Sequence, residues 1–420
     1  MAAATLAQEL ESESVDFDQL HRDYKPVLGL VRELIGFVPN CDPYLEIWPI
    51  GFRTYSLLVP NLLNLPASLI GQGAPKDLVG LGMYTASRAA GCMYCSAHTC
   101  TFALRRGASP EAVTGEAHTP AEAAVVSLAH ALGQVPATLT QAQVHDLEEH
   151  LDPGDAEWIV LAVALMGFLN KFMDTMGIEL EVEAIADVQD LIGPTGWSTG
   201  KHQWKDELDI PPNGHVPKDS MSTYLRVFRQ APGALRLEGR WTRGVSGRIG
   251  SALMMLEDQI GHSFPIFASL KHKRSVKALA TVLRDNLNEE HTTVGLPAKC
   301  MVALVYARVV DNEALTAEAV QLADILAPDL DPDIMVGVGH YALAPGEEAV
   351  IPGGLSRTEA AAIILAKAAS TSPSSVNEIT VSTVTDHLDA EQIVEVVVWI
   401  AVLQMLHRLY AYYDARLGLT

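Results

Sequence analysis

The sequence predicts an all-α protein, and three observations carry that expectation. Apolar residues recur at helical spacing along most of the 420-residue chain. Helix start and stop signals follow one another in order, from capping residues to closing glycines. Alternating β-branched runs bounded by turn residues, the mark of strands, are few. With 49% apolar and 19% charged residues, the chain can also bury a large core.

The elements can be justified in turn. Pro75 opens an apolar-periodic run to about Ala90. A second helix runs from about Cys92 to Arg106, with Gly107 as its stop. Ser109-Pro110 starts a short helix. Thr119-Pro-Ala-Glu122 has the spacing of a capping box before a helix to about Leu132. Thr140 caps a run to about His150, and Asp155 starts a long apolar helix that ends near Gly177. From Gly193 to Asp219 the chain turns to Gly, Pro, Ser and Thr, which reads as an arm or linker between two halves.

The stretch Cys92-Met93-Tyr94-Cys95-Ser96-Ala97-His98 carries the chemistry. It holds two of only five cysteines. On a helix, residues three apart are neighbours, so His98 falls above Cys95. The positive end of the helix favours thiolate over thiol. A thiolate, a thiol that can close on it and a base within reach are the parts of a dithiol redox catalyst. By this reading Cys95 is the nucleophile, Cys92 the resolving thiol and His98 the base. The reverse assignment of the sulfurs stays open, because exposure decides which is attacked.

The run from Tyr84 through Ser87, Cys92 and Cys95 to Thr99 resembles the carboxymuconolactone decarboxylase and alkylhydroperoxidase D superfamily. Ala108–Val113 is similar to the short helix that follows the motif in that family. Gly167–Asp174, with Gly177-Ile178-Glu179-Leu180-Glu181 after it, is similar to the family's last long helix. The resemblance covers about residues 25–205 and implies an all-helical bundle that assembles into oligomers. It places the reactive thiol at the second cysteine. Two departures stand out. The peroxidase-type members carry a glutamate about twelve residues before the first cysteine, where this chain has Gly80; the nearest acid is Asp77. The commoner family spacing puts the histidine where this chain has Thr99, one residue after His98. Tyr84, Ser87, Asp77 and Tyr94 are the candidates for the missing proton relay, with packing the preferred role for both tyrosines and Ser87.

Other cysteines and histidines receive simpler readings. Cys100 is eight residues from Cys92, about 12 Å along a helix, too far for a disulfide. Cys41 and Cys300 read as core residues. His202 could fold back over the motif, although an ordinary loop histidine is the preferred reading. Cys92, Cys95 and His98 make three of four zinc ligands, but no second pair follows at finger spacing, so no metal is expected. No organic cofactor is expected either.

The second half reads as a weak repeat of the first. Ser356-Arg-Thr-Glu359 matches Thr119–Glu122, 237 residues on, and Asp389–Val394 matches Asp155–Val160, 234 residues on. Pro297 and Tyr306 match Pro75 and Tyr84, an offset of 222 that puts Ala314, Ala317 and Val320 opposite Cys92, Cys95 and His98. The expected organisation is a motif-bearing domain over 20–192, an arm over 193–220 and a degenerate copy over 221–420. The copy would occupy the place of a neighbouring subunit within a homo-oligomer.

Charge narrows the partners. Twenty-nine basic and 51 acidic residues give a net charge of −22. Such a surface repels phosphate backbones and anionic lipid, so neither nucleic acid nor membrane is an expected partner. Met1 to Asp18 has no basic n-region, so no signal peptide is expected. The apolar runs Trp158–Leu169 and Val396–Leu403 fall short of the ~18 residues of a membrane span. Few, clustered thiols fit a reducing cytoplasm. The expected function is reduction of a hydroperoxide by the Cys92/Cys95 pair, restored by an external dithiol. The alternatives are a lyase or isomerase of a lactone or β-keto acid, and a redox sensor without turnover.

Overall fold

The computed structural model describes residues 4–204, 209–346 and 349–419; four residues of the arm, 205–208, and two of the loop before Ser356, 347–348, lie outside them. Among the described residues there are twenty α-helices and no strand. The first half contains α1 (Leu6–Glu9), α2 (Phe17–Ile35), α3 (Asp42–Leu45), α4 (Pro49–Leu62), α5 (Lys76–Ala89) and α6 (Met93–Arg106). It continues with α7 (Pro110–Thr114), α8 (Pro120–Gly133), α9 (Gln141–His150), α10 (Pro153–Met176) and α11 (Val182–Ile192). The second half contains α12 (Met221–Trp241), α13 (Ile249–Ile260), α14 (Lys273–Asn286), α15 (Leu296–Val309) and α16 (Glu313–Leu326). It ends with α17 (Pro332–Leu343), α18 (Arg357–Ser370), α19 (Glu378–Thr385) and α20 (Ala390–Leu417).

The boundaries follow local chemistry. Thr119 with Glu122, Thr140 with Gln143, Ser356 with Glu359 and Asp389 with Gln392 all form closed capping boxes. Gly107 and Gly177 end α6 and α10 in the left-handed conformation. The long helix begins at Pro153, two residues before the expected Asp155, because proline is preorganised for the first helical position.

At the centre α10 and α20 lie side by side. Contact is so close at Gly167 that a Cβ there would stand 2.8 Å from the Gln404 carbonyl oxygen. A helix that is apolar all round belongs in a core, and both are buried along nearly their whole length. The reading of apolar runs needs correction here. By length and composition both helices could cross a bilayer, since α10 continues past Leu169 through Phe172, Met173 and Met176. The most apolar stretches are 94% and 100% buried within the protein itself.

From α5 to α10 the helices have 14, 14, 5, 14, 10 and 24 residues; from α15 to α20 they have 14, 14, 12, 14, 8 and 28. The motif helix α6 is buried over most of its length, whereas on α16 Ala317 is exposed and Val320 is 44% exposed. The arm does not hang free. Trp197 Nε1 donates to the Met93 carbonyl at 3.0 Å, and Asp219 pairs with Arg105 and Arg106 at the far end of α6.

Candidate active site

The site is built on the junction of α5 and α6. Helix α5 closes with the Cys92 N–H on the Ser87 carbonyl at 3.1 Å, and Gly91 takes φ +69° to make the turn. Cys92 is therefore not in the first turn of α6, as expected, but is its N-cap. Its sulfur accepts the Cys95 N–H at 3.4 Å. The positive end of the helix thus acts on Cys92 rather than equally on both thiols.

Cys95, in contact with Cys92, also borders open space. It forms part of the wall of an apolar cavity of about 80 Å³ between α2, α4, α6 and α10. Val31, Leu34, Val59, Met166 and Met173 supply much of the wall, and Tyr94, His98, Thr99 and Tyr55 add polar groups to it. Both thiols are buried, at 0% and 3% exposure, while the His98 side chain retains 12%.

A carboxylate reaches this face from an unexpected place. Glu181, the N-cap of α11, is hydrogen-bonded through Oε2 to His98 Nε2 at 2.6 Å. Its Oε1 accepts the Tyr94 hydroxyl at 2.7 Å and the Asn40 N–H. Burial opposes ionisation of Glu181. The His98 imidazole, the Asn40 N–H and the Tyr94 hydroxyl outweigh that and hold its carboxyl below the usual range. The position where the family resemblance puts a glutamate has no room for one: a Cβ on Gly80 would meet the Ala103 Cα of α6 at 2.6 Å.

The proposed relay residues separate. Tyr94 joins the site, through Glu181. Ser87 donates its hydroxyl to Met83 of its own helix at 2.8 Å, so only its backbone serves the motif. Tyr84 is buried on the side of Arg88 and Thr195. Asp77 lies in the first turn of α5, ten residues before Ser87 and so about 15 Å along the helix from it.

Two residues that the sequence reading set aside, Cys41 and His202, are here, and Asp42 lies beside the first. Cys41 lies on the same cavity wall as Cys95, with its thiol pushed up by burial and by Asp42 and Glu181. Its neighbour Asp42 is fully buried, which raises its carboxyl well above the usual range. His202 is buried against Cys92, not an ordinary loop histidine. Cys100 and Cys300 are buried core residues. Among the described residues no group of three or more His, Cys, Asp or Glu is arranged to hold a metal ion.

Electrostatics divides the two sulfurs. Burial acts against ionisation of Cys92, but the hydrogen bond from the Cys95 thiol and the His202 ring bring its pKa down to about 6. Burial and the neighbouring Cys92 sulfur push Cys95 well up. The arrangement favours a single negative charge on the pair, placed on Cys92, with the Cys95 S–H directed at it.

No family model matches the chain, and no curated protein matches it. Two solved structures resemble part of it. One is the debrominase Bmp8 in its apo form, at 22% identity and a TM-score of 0.35, covering 40% of this chain and 90% of that one. The other is a cysteine-to-alanine variant of the same debrominase in complex with 2,3,4-tribromopyrrole, at 21% identity and a TM-score of 0.37, covering 42% and 95%. The likeness is a distant one between helical folds.

Proposed function

We propose that this chain is an enzyme, a thiol-dependent oxidoreductase that reduces an organic hydroperoxide with the Cys92/Cys95 pair. One observation carries the reading: Cys95 faces an apolar cavity beside the His98–Glu181 pair, while Cys92 stands behind it within reach of its thiol proton. The cavity wall favours a substrate with an apolar body over hydrogen peroxide.

The chemistry follows from that arrangement. Cys95 sulfur attacks the terminal peroxide oxygen as its proton passes to the Cys92 thiolate. The O–O bond breaks, and the alkoxide leaves with a proton from His98, whose charge the Glu181 carboxylate balances. Cys95 is then a sulfenic acid. Cys92 gives up the proton it received and attacks the Cys95 sulfur, the S–S bond forms as the S–O bond breaks, and hydroxide departs as water with a proton from His98 once solvent has recharged it; the proton from Cys92 returns to solvent. An external dithiol returns the pair to its reduced form. Cys95 meets the substrate because it faces the cavity, and Cys92 resolves because it does not.

The test is consumption of a series of alkyl hydroperoxides of increasing chain length with a dithiol reductant. Burying a methylene is worth about 0.8 kcal/mol, so KM should fall about threefold to fourfold per added carbon until the cavity is full. Cys95→Ser and Cys92→Ser should both abolish turnover. Turnover that survives in Cys95→Ser would sink the reading. A single round of disulfide formation without turnover would make the chain a sensor.

A further inference from the structure

Two histidine–carboxylate pairs flank the two sulfurs, and the mechanism above uses only one. The first pair, His98 with Glu181, lies on the cavity side beside Cys95. The second lies behind the motif. His202 Nδ1 faces the Ile178 carbonyl at 2.7 Å, so this nitrogen carries a hydrogen and the ring gains or loses its second proton at Nε2. His202 Nε2 is buried and stands 3.9 Å from Asp174 Oδ1. The ring packs against Cys92. Lys201 reaches Asp174 Oδ1 at 3.2 Å and is one-third exposed, at the edge of a large surface pocket that also includes Trp204 and Ser374. A line of polar groups therefore runs from solvent to the buried sulfur: Lys201, Asp174, His202, Cys92.

The second half of the chain holds this line in place. Ser374 N–H and hydroxyl both bond Asp174, and Lys201 also donates to the Ser374 hydroxyl at 3.1 Å. Lys171, on the same face of α10, donates to the Thr371 carbonyl and the Ser372 hydroxyl. A Cβ on Gly91, next to Cys92, would meet Pro373 at 3.0 Å.

We propose that His202, backed by Asp174, is the proton acceptor for Cys92 in the step that closes the Cys92–Cys95 disulfide. This inference rests on the dithiol reading. When Cys95 attacks the peroxide, its proton moves to Cys92, which is then a neutral thiol and a poor nucleophile. To attack the sulfenic sulfur it must lose that proton. The His98 side cannot take it, because the reacting oxygen and the Cys95 sulfur lie between. In the resting state the His202 ring supports the Cys92 thiolate; once Cys92 is a neutral thiol the ring gives its proton out past Lys201, and Nε2 is free to take the Cys92 proton, with Asp174 placed to balance the imidazolium. The proton leaves as Cys92 sulfur bonds Cys95 sulfur and the S–O bond breaks, and it exits past Lys201. The other charged groups facing Cys92 are Lys171 of α10 and Arg408 of α20, both buried cations that favour the thiolate.

The experiment is single-turnover oxidation of the reduced full chain by tert-butyl hydroperoxide, from pH 5 to pH 9. Sulfenic acid at Cys95 is trapped with dimedone, and disulfide closure is followed separately. In His202→Asn, closure at pH 7 should slow by at least about tenfold while the sulfenic acid forms at the wild-type rate. Its dependence on pH should move to higher values. Asp174→Asn should do the same more weakly, and sulfenic acid formation at the wild-type rate shows that each variant is folded. Closure by diamide provides a version without hydroperoxide. If the wild type ignores hydroperoxides but His202→Asn still slows closure by diamide, the functional reading fails and the relay stands. Wild-type closure in both His202→Asn and Asp174→Asn would overturn the relay. So would an equal loss in both steps, which marks a structural role.

Discussion

Glu181 is the residue whose removal should separate chemistry from folding most cleanly. Glu181→Gln keeps the shape and can still accept the Tyr94 hydroxyl, but it removes the charge that supports a protonated His98. Sulfenic acid formation should fall by about 10²-fold, within the usual range for general acid–base catalysis, with little change in KM. Cys92 gives a second prediction at this scale. Its pKa in the fold is about 6, against an ordinary thiol value of 9.0. Between those values the unfolded chain holds a proton that the folded chain has released, so raising the pH favours folding. The stability of the reduced protein should rise through this window by a few kcal/mol at most, at about 1.4 kcal/mol per pKa unit. Buried Lys171, drawn down to about 7, adds a rise of the same sign. Above the unfolded thiol range the sign reverses for Cys95, which stays protonated in the fold while it ionises in the unfolded chain. Urea midpoints across pH 6–9 should show the rise, and Cys92→Ser should reduce it to the part that Lys171 supplies. The two thiols and His98 were legible in the sequence because they lie within one turn or so of each other. Glu181 and His202 were not, because 83 and 110 residues separate them from His98 and Cys92, and no local pattern marks such a contact. Each stood in a stretch already singled out, Gly177–Glu181 and the run ending in His202, but only the packing shows which way it turns.

Helix registry and capping were readable wherever the signal is local, as at Thr119, Thr140, Ser356 and Gly107. What helices do to one another was less so. The absence of glutamate from α5 looked like loss of the relay, yet its physical cause is the close approach of α5 to α6 at Gly80 and Ala103. Gly80→Glu should therefore not improve catalysis; it should destabilise the protein by more than about 3 kcal/mol, because the contact is with backbone and overpacking alone commonly costs 1–3. Gly167→Ala at the α10–α20 crossing should cost about 1–3 kcal/mol for the same reason. Chemical denaturation of both variants checks the pair. A thermal midpoint unchanged in Gly167→Ala would mean that α10 and α20 are not in contact there.

For the whole molecule, the repeat read from the sequence is best treated as a proposal about origin: one copy kept its chemistry and the other became its support. The matching order of helix lengths from α5 and from α15 favours it. Support here is physical. Arg408 of α20 donates to the Val163 carbonyl of α10 at 2.7 Å, and Lys299 and Glu395 form a buried ion pair at 2.8 Å within the second half. Residues 1–220 expressed alone would expose the apolar length of α10, so the fragment should aggregate, and co-expression with 221–420 should recover soluble material; a soluble, helical fragment by circular dichroism would contradict this. The burial of both sulfurs has a consequence of a different kind. A thiol pair that only a small molecule can reach makes the protein a molecular sieve for electrophiles. Bulky maleimides should therefore label the reduced pair far more slowly than slender oxidants convert it.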